Sequence, residues 1–426
     1  MQLNEFLSDL KTLISYQSVN ANKTPTAPFG KENFNALSFF LNKAEEFGFE
    51  TVNYDNYAGE IIFGANESNL EEIGVIGHLD VVPASSIGWD SDPFTLTEKD
   101  GFLFGRGVSD DKGPSLLILY ALKELKDNKI LPKRKIRFFV GCNEEDGWAD
   151  LDYLKTKTTL PEYGFSPDGN FPLSYAEKGV YQLQFKFPAL KNFYEIKGGS
   201  AVNAVCDYAS AKSVITPDNA LLKEFSLGFN GEVIESFGKA AHGSMPHLGK
   251  NAIKPLVQYF GICGENTLKM EKLFDGLGLS ALKNEQGEVT FSPNVITSDN
   301  KNVYITCDCR IPAPLCFDDV KKIIDGFGYE YKHLPHTLPP VLVEKDGWLV
   351  QTLLNAYNTV TGENKQPVSL CGSTFARAFK KGCAFGIEFG RYQTNIHDAN
   401  ERIKISEVLE AYEIYLLALK NLVLDN

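Results

Sequence analysis

The sequence has no long apolar run, no excess of basic residues and no CxxC pair of cysteines, and each of these absences argues against a class of protein. No segment approaches the roughly 18 consecutive apolar residues of a membrane-spanning helix. The 42 Lys and Arg residues are outnumbered by 55 Asp and Glu residues, and the net charge of -13 argues against nucleic acid or an anionic membrane as a partner. The eight cysteines form no CxxC pair, and the first residues lack the basic start of a signal peptide. We therefore expect a protein of the reducing cytoplasm.

The length of 426 residues predicts two domains, because it exceeds what one ordinary hydrophobic core holds. From residue 31, helix-like and strand-like stretches alternate, which is typical of an α/β domain whose mixed, mainly parallel sheet is flanked by helices. Beyond residue 180, apolar and polar residues alternate on a period of two, which predicts an antiparallel sheet covered by helices. The prolines of residues 333–341 indicate a linker back to the first pattern. We expect an α/β domain formed by residues 1–180 and 339–426, with an α+β domain inserted at residues 181–338.

Five short segments concentrate side chains of the kinds that bind metals. They contain His78 with Asp80, Asp110 with Asp111, Glu144 with Glu145, Asp168, and His397 with Asp398. Each segment follows a strand-like run or lies in a loop, where the sites of α/β domains gather. Taken singly, each has an ordinary explanation as a turn or a helix cap, and for Asp111 capping of the following helix suffices. The third acid of the NEED segment, Asp146, is expected to be a solvated turn residue.

The order and spacing of these segments resemble a known family. HLDVVP is followed by GRGVSDDKG, whose Asp110 lies 32 positions after His78, then by NEED, SPD and, near the end of the chain, IHDANE. Together with GGSAVNAV and AAHGSMP, these motifs resemble the co-catalytic zinc peptidases of the clan that includes aminoacylases, carboxypeptidases and succinyl-diaminopimelate desuccinylases. DDKGP, NEEDGW, FSPDGNFP, AEKG and CGSTFARAFKKGCAFG resemble the dipeptidase V branch of that clan.

The resemblance implies a role for each residue of the five segments. Asp110 would bridge two zinc ions, and the peptide bond between Asp110 and Asp111 would be cis. The other ligands would be His78 and Asp168 on one metal and Glu145 and His397 on the other. Asp80 would orient His78, and Glu144 would act as the general base. The donor set of carboxylate oxygens and imidazole nitrogens suits zinc, and also manganese or cobalt. Its charge of about -3 against +4 from two divalent ions favours a bridging hydroxide.

The resemblance also implies that the inserted domain is a lid that contributes to the active site. His242 would polarise the scissile carbonyl, Arg310 would bind the substrate carboxylate with two hydrogen bonds, and Asn203 would donate a further hydrogen bond. Ser373 and Thr374 would offer donors to the same carboxylate. The CGST sequence at these last two positions departs from the glycine-rich GGGT form that is usual in the family.

The leading interpretation is therefore a di-zinc dipeptidase that acts on short unblocked peptides by attack of a metal-bridging hydroxide. An N-acyl amino acid amidohydrolase, a desuccinylase-like enzyme or a carboxypeptidase is the alternative within the same chemistry. A metal-binding or peptide-binding protein without catalysis is a remote third, disfavoured because Glu144 and every implied ligand are present. The sequence is compatible with a monomer and with a homodimer. Dipeptidase V types have an enlarged lid within one chain, and the inserted domain is small for such a lid.

Overall fold

The computed structural model describes residues 1–64, 70–85 and 87–424. The chain forms two compact units. The first comprises Met1–Tyr175, Val343–Val368 and Thr374–Asn426, and the second comprises Ala176–Leu342 with Ser369–Ser373. We predicted an inserted domain at residues 181–338. The second unit begins at residue 176, ends at residue 342 and also includes Ser369–Ser373.

The secondary structure elements are numbered here along the chain. The helices are α1 (Leu3–Ser15), α2 (Lys31–Glu46), α3 (Lys112–Asp127), α4 (Ala149–Lys157), α5 (Asn219–Glu224), α6 (Ile253–Ile262), α7 (Leu268–Phe274), α8 (Phe317–Gly326), α9 (Trp348–Thr361) and α10 (Ile405–Leu424), with short 3-10 turns at Pro246–Leu248, Gly276–Ala281 and Phe375–Ala378. The strands are β1 (Glu50–Tyr54), β2 (Ala58–Phe63), β3 (Glu71–His78), β4 (Thr97–Lys99), β5 (Phe102–Phe104), β6 (Arg134–Gly141), β7 (Tyr163–Ser166), β8 (Ser174–Glu177), β9 (Gly179–Pro188), β10 (Phe193–Gly198), β11 (Tyr208–Ser213), β12 (Leu227–Phe229), β13 (Val233–Phe237), β14 (Lys283–Asn284), β15 (Gly287–Glu288), β16 (Thr290–Ser298), β17 (Asn302–Ile311), β18 (Glu330–Leu338), β19 (Val341–Leu342), β20 (Val368–Leu370), β21 (Lys381–Ala384) and β22 (Arg402–Lys404).

The first unit is built on a mixed sheet in which the strands run in the order β1-β2-β6-β3-β7-β21-β8. The four central strands β6, β3, β7 and β21 are parallel, whereas β1 and β2 pair antiparallel at one side. The last six residues of β3 are all buried, as expected of a parallel strand covered on both faces. Helices α3 and α10 pack against β3 and β6, and α2 packs against β1 and β2. The predicted α/β class is confirmed.

The second unit contains an eight-stranded antiparallel sheet in the order β12-β13-β11-β10-β16-β17-β9-β18. Helices α6 and α7 pack against it over a core that includes Leu183, Phe185 and Phe260. The antiparallel sheet with covering helices is the architecture expected from the period of two. Among the described residues, no helix has the length and apolar character needed to cross a membrane. All eight cysteines are free thiols.

Candidate metal centre

Parallel pairing brings three of the five predicted segments to one edge of the first sheet. His78 is the last residue of β3 and lies opposite Gly141, the last residue of β6. The NEED loop follows β6 directly, and Asp168 lies two residues beyond the end of β7. Because parallel strands all end at the same side of a sheet, their following loops converge there.

Asp110 lies at the centre of the converging side chains. Its Oδ1 atom is 3.0 Å from Nε2 of His78, and its Oδ2 atom is 2.9 Å from Nε2 of His397. Oδ2 of Asp168 is 4.0 Å from the same nitrogen of His78, and Oε2 of Glu145 is 3.1 Å from that of His397. The five side chains thus form two sets that share Asp110, each with one histidine and one further acid. This is the grouping that the resemblance implies, and the ligand roles themselves stay predictions.

The charges of this cluster favour a cation between the side chains. Burial alone would raise the pKa of Asp110, but hydrogen bonds from His397 and His78 hold it well below its usual range. Burial likewise lowers the pKa of His397, yet Asp110 and Glu145 outweigh it and raise the pKa to about 12. Burial and nearby carboxylates raise the pKa of Asp168 well above its usual range. Ligand atoms of His78, Asp110 and Glu145 lie within 4.8 Å of one another, and a divalent ion can take the place of the ring protons when the imidazoles are neutral.

Asp80 ties the histidine of β3 to the NEED loop. Nδ1 of His78 lies 3.0 Å from the backbone oxygen of Asp80 and 3.4 Å from its Oδ1 atom. The carboxylate of Asp80 accepts hydrogen bonds from the backbone N–H groups of Glu144 (3.1 Å) and Glu145 (3.0 Å). Asp80 is buried, so these contacts fix both the ring of His78 and the start of the loop.

A second buried acid, Asp150, fixes the two residues that follow β6, where the NEED loop begins. Its Oδ2 atom accepts hydrogen bonds from the N–H groups of Cys142 (2.6 Å) and Asn143 (2.9 Å). This approach requires glycine at position 141, because a Cβ atom there would lie 2.3 Å from Oδ2 of Asp150. Asp146 is exposed in the turn and accepts a hydrogen bond from Asn20.

Glu144 projects toward the ligand cluster without being one of its ion-paired members. Burial raises the pKa of Glu144 well above its usual range, and the charges of Asp168 and Glu145 raise it further. Within the described residues, its carboxylate has no recorded hydrogen-bond donor, whereas its backbone N–H is fixed by Asp80. A carboxylate in such an environment is a candidate for proton transfer.

The expectation that Asp111 serves only to cap α3 is wrong. Asp111 occupies the N-cap position, but its side chain makes no capping hydrogen bond. Oδ2 accepts instead from the backbone N–H of His78 (3.0 Å) and the hydroxyl of Ser115 (2.8 Å). Gly77 leaves room for this contact, since a Cβ atom there would lie 2.4 Å from Oδ2. The Asp110–Asp111 peptide bond is cis, as the resemblance implies.

Sequence reasoning missed Glu401, a fully buried acid next to Asp110. Its carboxylate accepts hydrogen bonds from the N–H groups of Gly107 (3.1 Å), Ser109 (3.0 Å) and Asp110 (3.2 Å). It also forms an ion pair of 2.7 Å with Arg106, itself buried. Glu401 lies four residues after His397 in IHDANE, and in the sequence it has the pattern of an ordinary acid before β22. Its proximity to His397 was the only signal that could have indicated a role.

A further acid outside the predicted set is Glu388, which lies between the two loops that carry Asp168 and His397. Nδ2 of Asn170 donates a hydrogen bond of 3.1 Å to Oε2 of Glu388. The hydroxyl of Thr394 donates to Oε1. The sequence GIEFG around Glu388 offered no signal, because a single acid between apolar residues is a common strand-end pattern.

The second unit brings together two of the predicted substrate residues, Asn203 and His242. The N–H of Gly243 donates to the backbone oxygen of Asn203 (2.6 Å), and His242 pairs with Ala204 in an isolated bridge. Nδ1 of the same histidine lies 2.6 Å from the hydroxyl of Ser244.

Arg310, on β17 of the second unit, is held by a neighbouring acid. Nε and Nη2 of Arg310 donate to the two carboxylate oxygens of Asp308 at 2.7 and 2.8 Å. The Nε side of the guanidinium is therefore occupied. Nη1 and the second proton of Nη2 remain available to a substrate carboxylate. Ser373 belongs to the second unit, whereas Thr374 lies in the first, where its hydroxyl accepts from the N–H of Ala376 (3.1 Å).

Comparison with known proteins shows relatives along almost the whole chain. A model described as peptidase family M20/M25/M40 matches residues 74–421. The Beta-Ala-Xaa dipeptidase of Lactobacillus delbrueckii subsp. lactis is 31% identical over 98% of this chain and 96% of its own length. A putative dipeptidase of Staphylococcus epidermidis is 31% identical over 99% of this chain and 98% of its own length.

Solved structures share the fold at low sequence identity. Human carnosine dipeptidase 1 aligns with a TM-score of 0.64 and 16% identity, covering 99% of this chain and 96% of the other. A Bacillus subtilis protein described as a dinuclear metal binding peptidase from the M20 family aligns with a TM-score of 0.55 and 10% identity, covering 99% and 98%.

Proposed function

The chain belongs to peptidase family M20/M25/M40, and from that membership we propose that it is a metallo-dipeptidase that hydrolyses the peptide bond of short unblocked peptides. One observation carries the proposal: Asp110 presents one carboxylate oxygen to His78 and the other to His397, each within about 3 Å. The similarity to named dipeptidases along almost their full length supports a dipeptide as the substrate.

The donor set fits two divalent ions. His78, Asp110 and Asp168 would hold one ion, and Asp110, Glu145 and His397 would hold the other. Three carboxylates converging within a buried site repel one another unless positive charge lies between them, and two imidazole nitrogens complete a set that suits zinc, with manganese or cobalt as substitutes. When bound, such ions supply the Lewis acidity that polarises a carbonyl and lowers the pKa of water.

Glu144 is the proposed general base. Peptide hydrolysis requires a group that takes a proton from the attacking water and passes it to the leaving nitrogen. Glu144 lies beside the ligand Glu145 but makes no ion pair within the described part of the chain, so its carboxylate is available for the transfer. The two hydrogen bonds from this loop to Asp80 hold the backbone of Glu144 in place.

The remaining proposed groups are residues of the second unit and, in the first unit, Thr374. His242 would stabilise the negative charge that develops on the scissile carbonyl oxygen, and Asn203 would donate to the substrate. Arg310 would bind the substrate carboxylate through the end of its guanidinium that Asp308 leaves available. Ser373 and Thr374 are proposed as further donors. We also propose a cytoplasmic location, and both a monomer and a homodimer are compatible with this assignment.

Metal analysis combined with a substrate panel tests the proposal. Purified protein is expected to contain about two zinc equivalents, to lose activity in a chelator and to regain it with zinc, manganese or cobalt. The panel pairs dipeptides with their N-acylated forms and with N-acyl amino acids. Preference for the free amino terminus supports the dipeptidase, preference for the acylated compounds supports an amidohydrolase, and full activity without metal contradicts both.

A further inference from the structure

The carboxylate of Glu388 is fixed between the two loops that bear ligands of the candidate metal centre. Asn170, which donates to it, lies two residues after Asp168, and Thr394, the other donor, lies three residues before His397. A backbone hydrogen bond also joins Glu388 to the loop of Asp168, because the N–H of Glu388 donates to the oxygen of Gly169 (3.2 Å). Glu388 is therefore held at the border of the metal centre by the same segments that position its ligands.

Glu388 has no cationic partner of its own among the residues that the structure describes. Both of its donors are neutral side chains. The nearest arginine along the chain, Arg391, pairs instead with Glu410 (2.5 Å) and Glu407 (3.7 Å). A partly buried carboxylate held by neutral donors alone retains affinity for a positive group.

An unblocked peptide carries a positively charged α-ammonium group into the candidate metal centre. Its α-ammonium is separated from the scissile carbonyl by a single carbon atom, so it must lie close to the metal centre whenever the peptide bond does. Two divalent ions repel an ammonium group that lies beside them, and an additional carboxylate next to that group offsets the repulsion. An N-acylated substrate carries no such charge and needs no such carboxylate.

We propose that Glu388 binds the α-ammonium group of the substrate and thereby selects peptides with a free amino terminus. This inference rests on the proposed function, since it assigns a specificity residue to the same site. Asn170 and Thr394 orient the carboxylate, and the charge of Glu388 distinguishes alanyl-alanine from a compound of the same shape that lacks the amino group.

The test compares two substrates that differ only in the amino group, alanyl-alanine and propanoyl-alanine, with zinc-loaded wild type and Glu388→Gln. Wild type is expected to prefer alanyl-alanine. In Glu388→Gln, kcat/KM for alanyl-alanine is expected to fall about ten- to a hundredfold, mainly through KM, with little change for propanoyl-alanine. Glu60→Gln is the matched control, because it also replaces a carboxylate by an amide, in a buried pair with Arg137 on β2 outside the ligand-bearing segments, and it is expected to retain the preference. Zinc content is measured for all three proteins.

A second readout does not depend on turnover. In a Glu144→Gln background, calorimetry is expected to show weaker binding of alanyl-alanine, and unchanged binding of propanoyl-alanine, when Glu388→Gln is added. An equal loss for both compounds, or loss of the preference in Glu60→Gln, overturns the role of the charge. If wild type cleaves dipeptides and Glu388→Gln keeps the wild-type ratio, this inference alone fails. If wild type cleaves no dipeptide, the proposed function fails and this inference falls with it.

Discussion

Replacement of Glu401 by glutamine is expected to weaken both the fold and metal binding, because this acid supports the loop of Asp110. The carboxylate is fully buried, accepts three backbone N–H groups from residues 107, 109 and 110, and pairs with the buried Arg106. Arg106 also donates to the backbone oxygen of Asp398 (3.1 Å), next to His397. One buried ion pair therefore connects the loop of Asp110 with the loop of His397.

The magnitude follows from what each substitution leaves unpaired. Removal of one partner from a buried ion pair costs about 3–5 kcal/mol, and Glu401→Ala would also leave three N–H groups without an acceptor. Such a loss is comparable to the whole free energy of unfolding, about 5–15 kcal/mol. Glu401→Gln keeps the shape and one acceptor oxygen, so we expect a loss of about 2–3 kcal/mol. Metal affinity is expected to fall about 10- to 100-fold, the usual effect of losing a group that orients a ligand.

The assay is urea unfolding of the metal-free protein together with zinc competition against a chelator. The matched control is Glu60→Gln, because Glu60 is a buried acid on β2 that pairs with Arg137 and has no contact with the ligand segments in the described structure. Glu60→Gln is expected to destabilise the fold while leaving zinc affinity at the wild-type value. Wild-type zinc affinity in Glu401→Gln, or an equal loss of affinity in the control, would refute the reasoning.

Three other substitutions test separate parts of the molecule. Glu144→Gln is expected to keep about two zinc equivalents while kcat falls about 10²- to 10⁴-fold, and an unchanged kcat removes Glu144 as the base. Asp308→Asn is expected to raise KM about tenfold for a dipeptide but not for its C-terminal amide, because it frees Arg310 from the orientation that two hydrogen bonds impose; equal KM changes for both compounds contradict this. Burial of Lys112 lowers its pKa from 10.5 to about 7. Between these values the unfolded chain binds a proton that the folded chain lacks, so this group makes stability rise with pH across the window. Lys112→Met is therefore expected to gain more stability over wild type at about pH 7 than at about pH 9 in urea unfolding, and a gain that does not change with pH refutes the assignment.

The parallel sheet and the convergence of the ligand segments could be predicted because both follow from local patterns. The buried run that ends at His78 and the run that ends at Gly141 read as parallel strands, and parallel strands end at one edge. The pairing of Arg106 with Glu401 could not be predicted in this way, since 295 positions separate the two residues. Neither residue belongs to a periodic pattern, and an ion pair leaves no trace in the sequence around either partner.

The sequence also does not predict whether side chains that lie close together along the chain pair with each other, as Asp308 and Arg310 of the second unit show. Arg310 was expected to bind a substrate carboxylate with two hydrogen bonds, and Asp308 lies two residues before it on β17. Residues two apart on a strand face the same side, which also allows them to pair with each other. The sequence alone does not show whether the two side chains pair. The side-chain distances of 2.7 and 2.8 Å show that they do, and Nη1 with the second proton of Nη2 stays available for the proposed substrate carboxylate.

The misreading of Asp111 has a general cause in how this centre is built. Three of the five proposed ligand segments, those of His78, Glu145 and Asp110, are fixed by buried acids that are not themselves proposed ligands and that accept backbone N–H groups. These acids are Asp80 for the NEED loop, Asp111 for the end of β3, Asp150 for the residues after β6, and Glu401 for the loop of Asp110. In sequence, an acid that binds a metal and an acid that binds a backbone look alike, because both follow strands and stand among glycines. What separates them is the main partner: the proposed ligands lie against the Nε2 atoms of His78 and His397, and the supporting acids accept hydrogen bonds from peptide N–H groups. Since none of these backbone hydrogen bonds involves a ligand atom, the loops are expected to keep their positions when a chelator removes the metal.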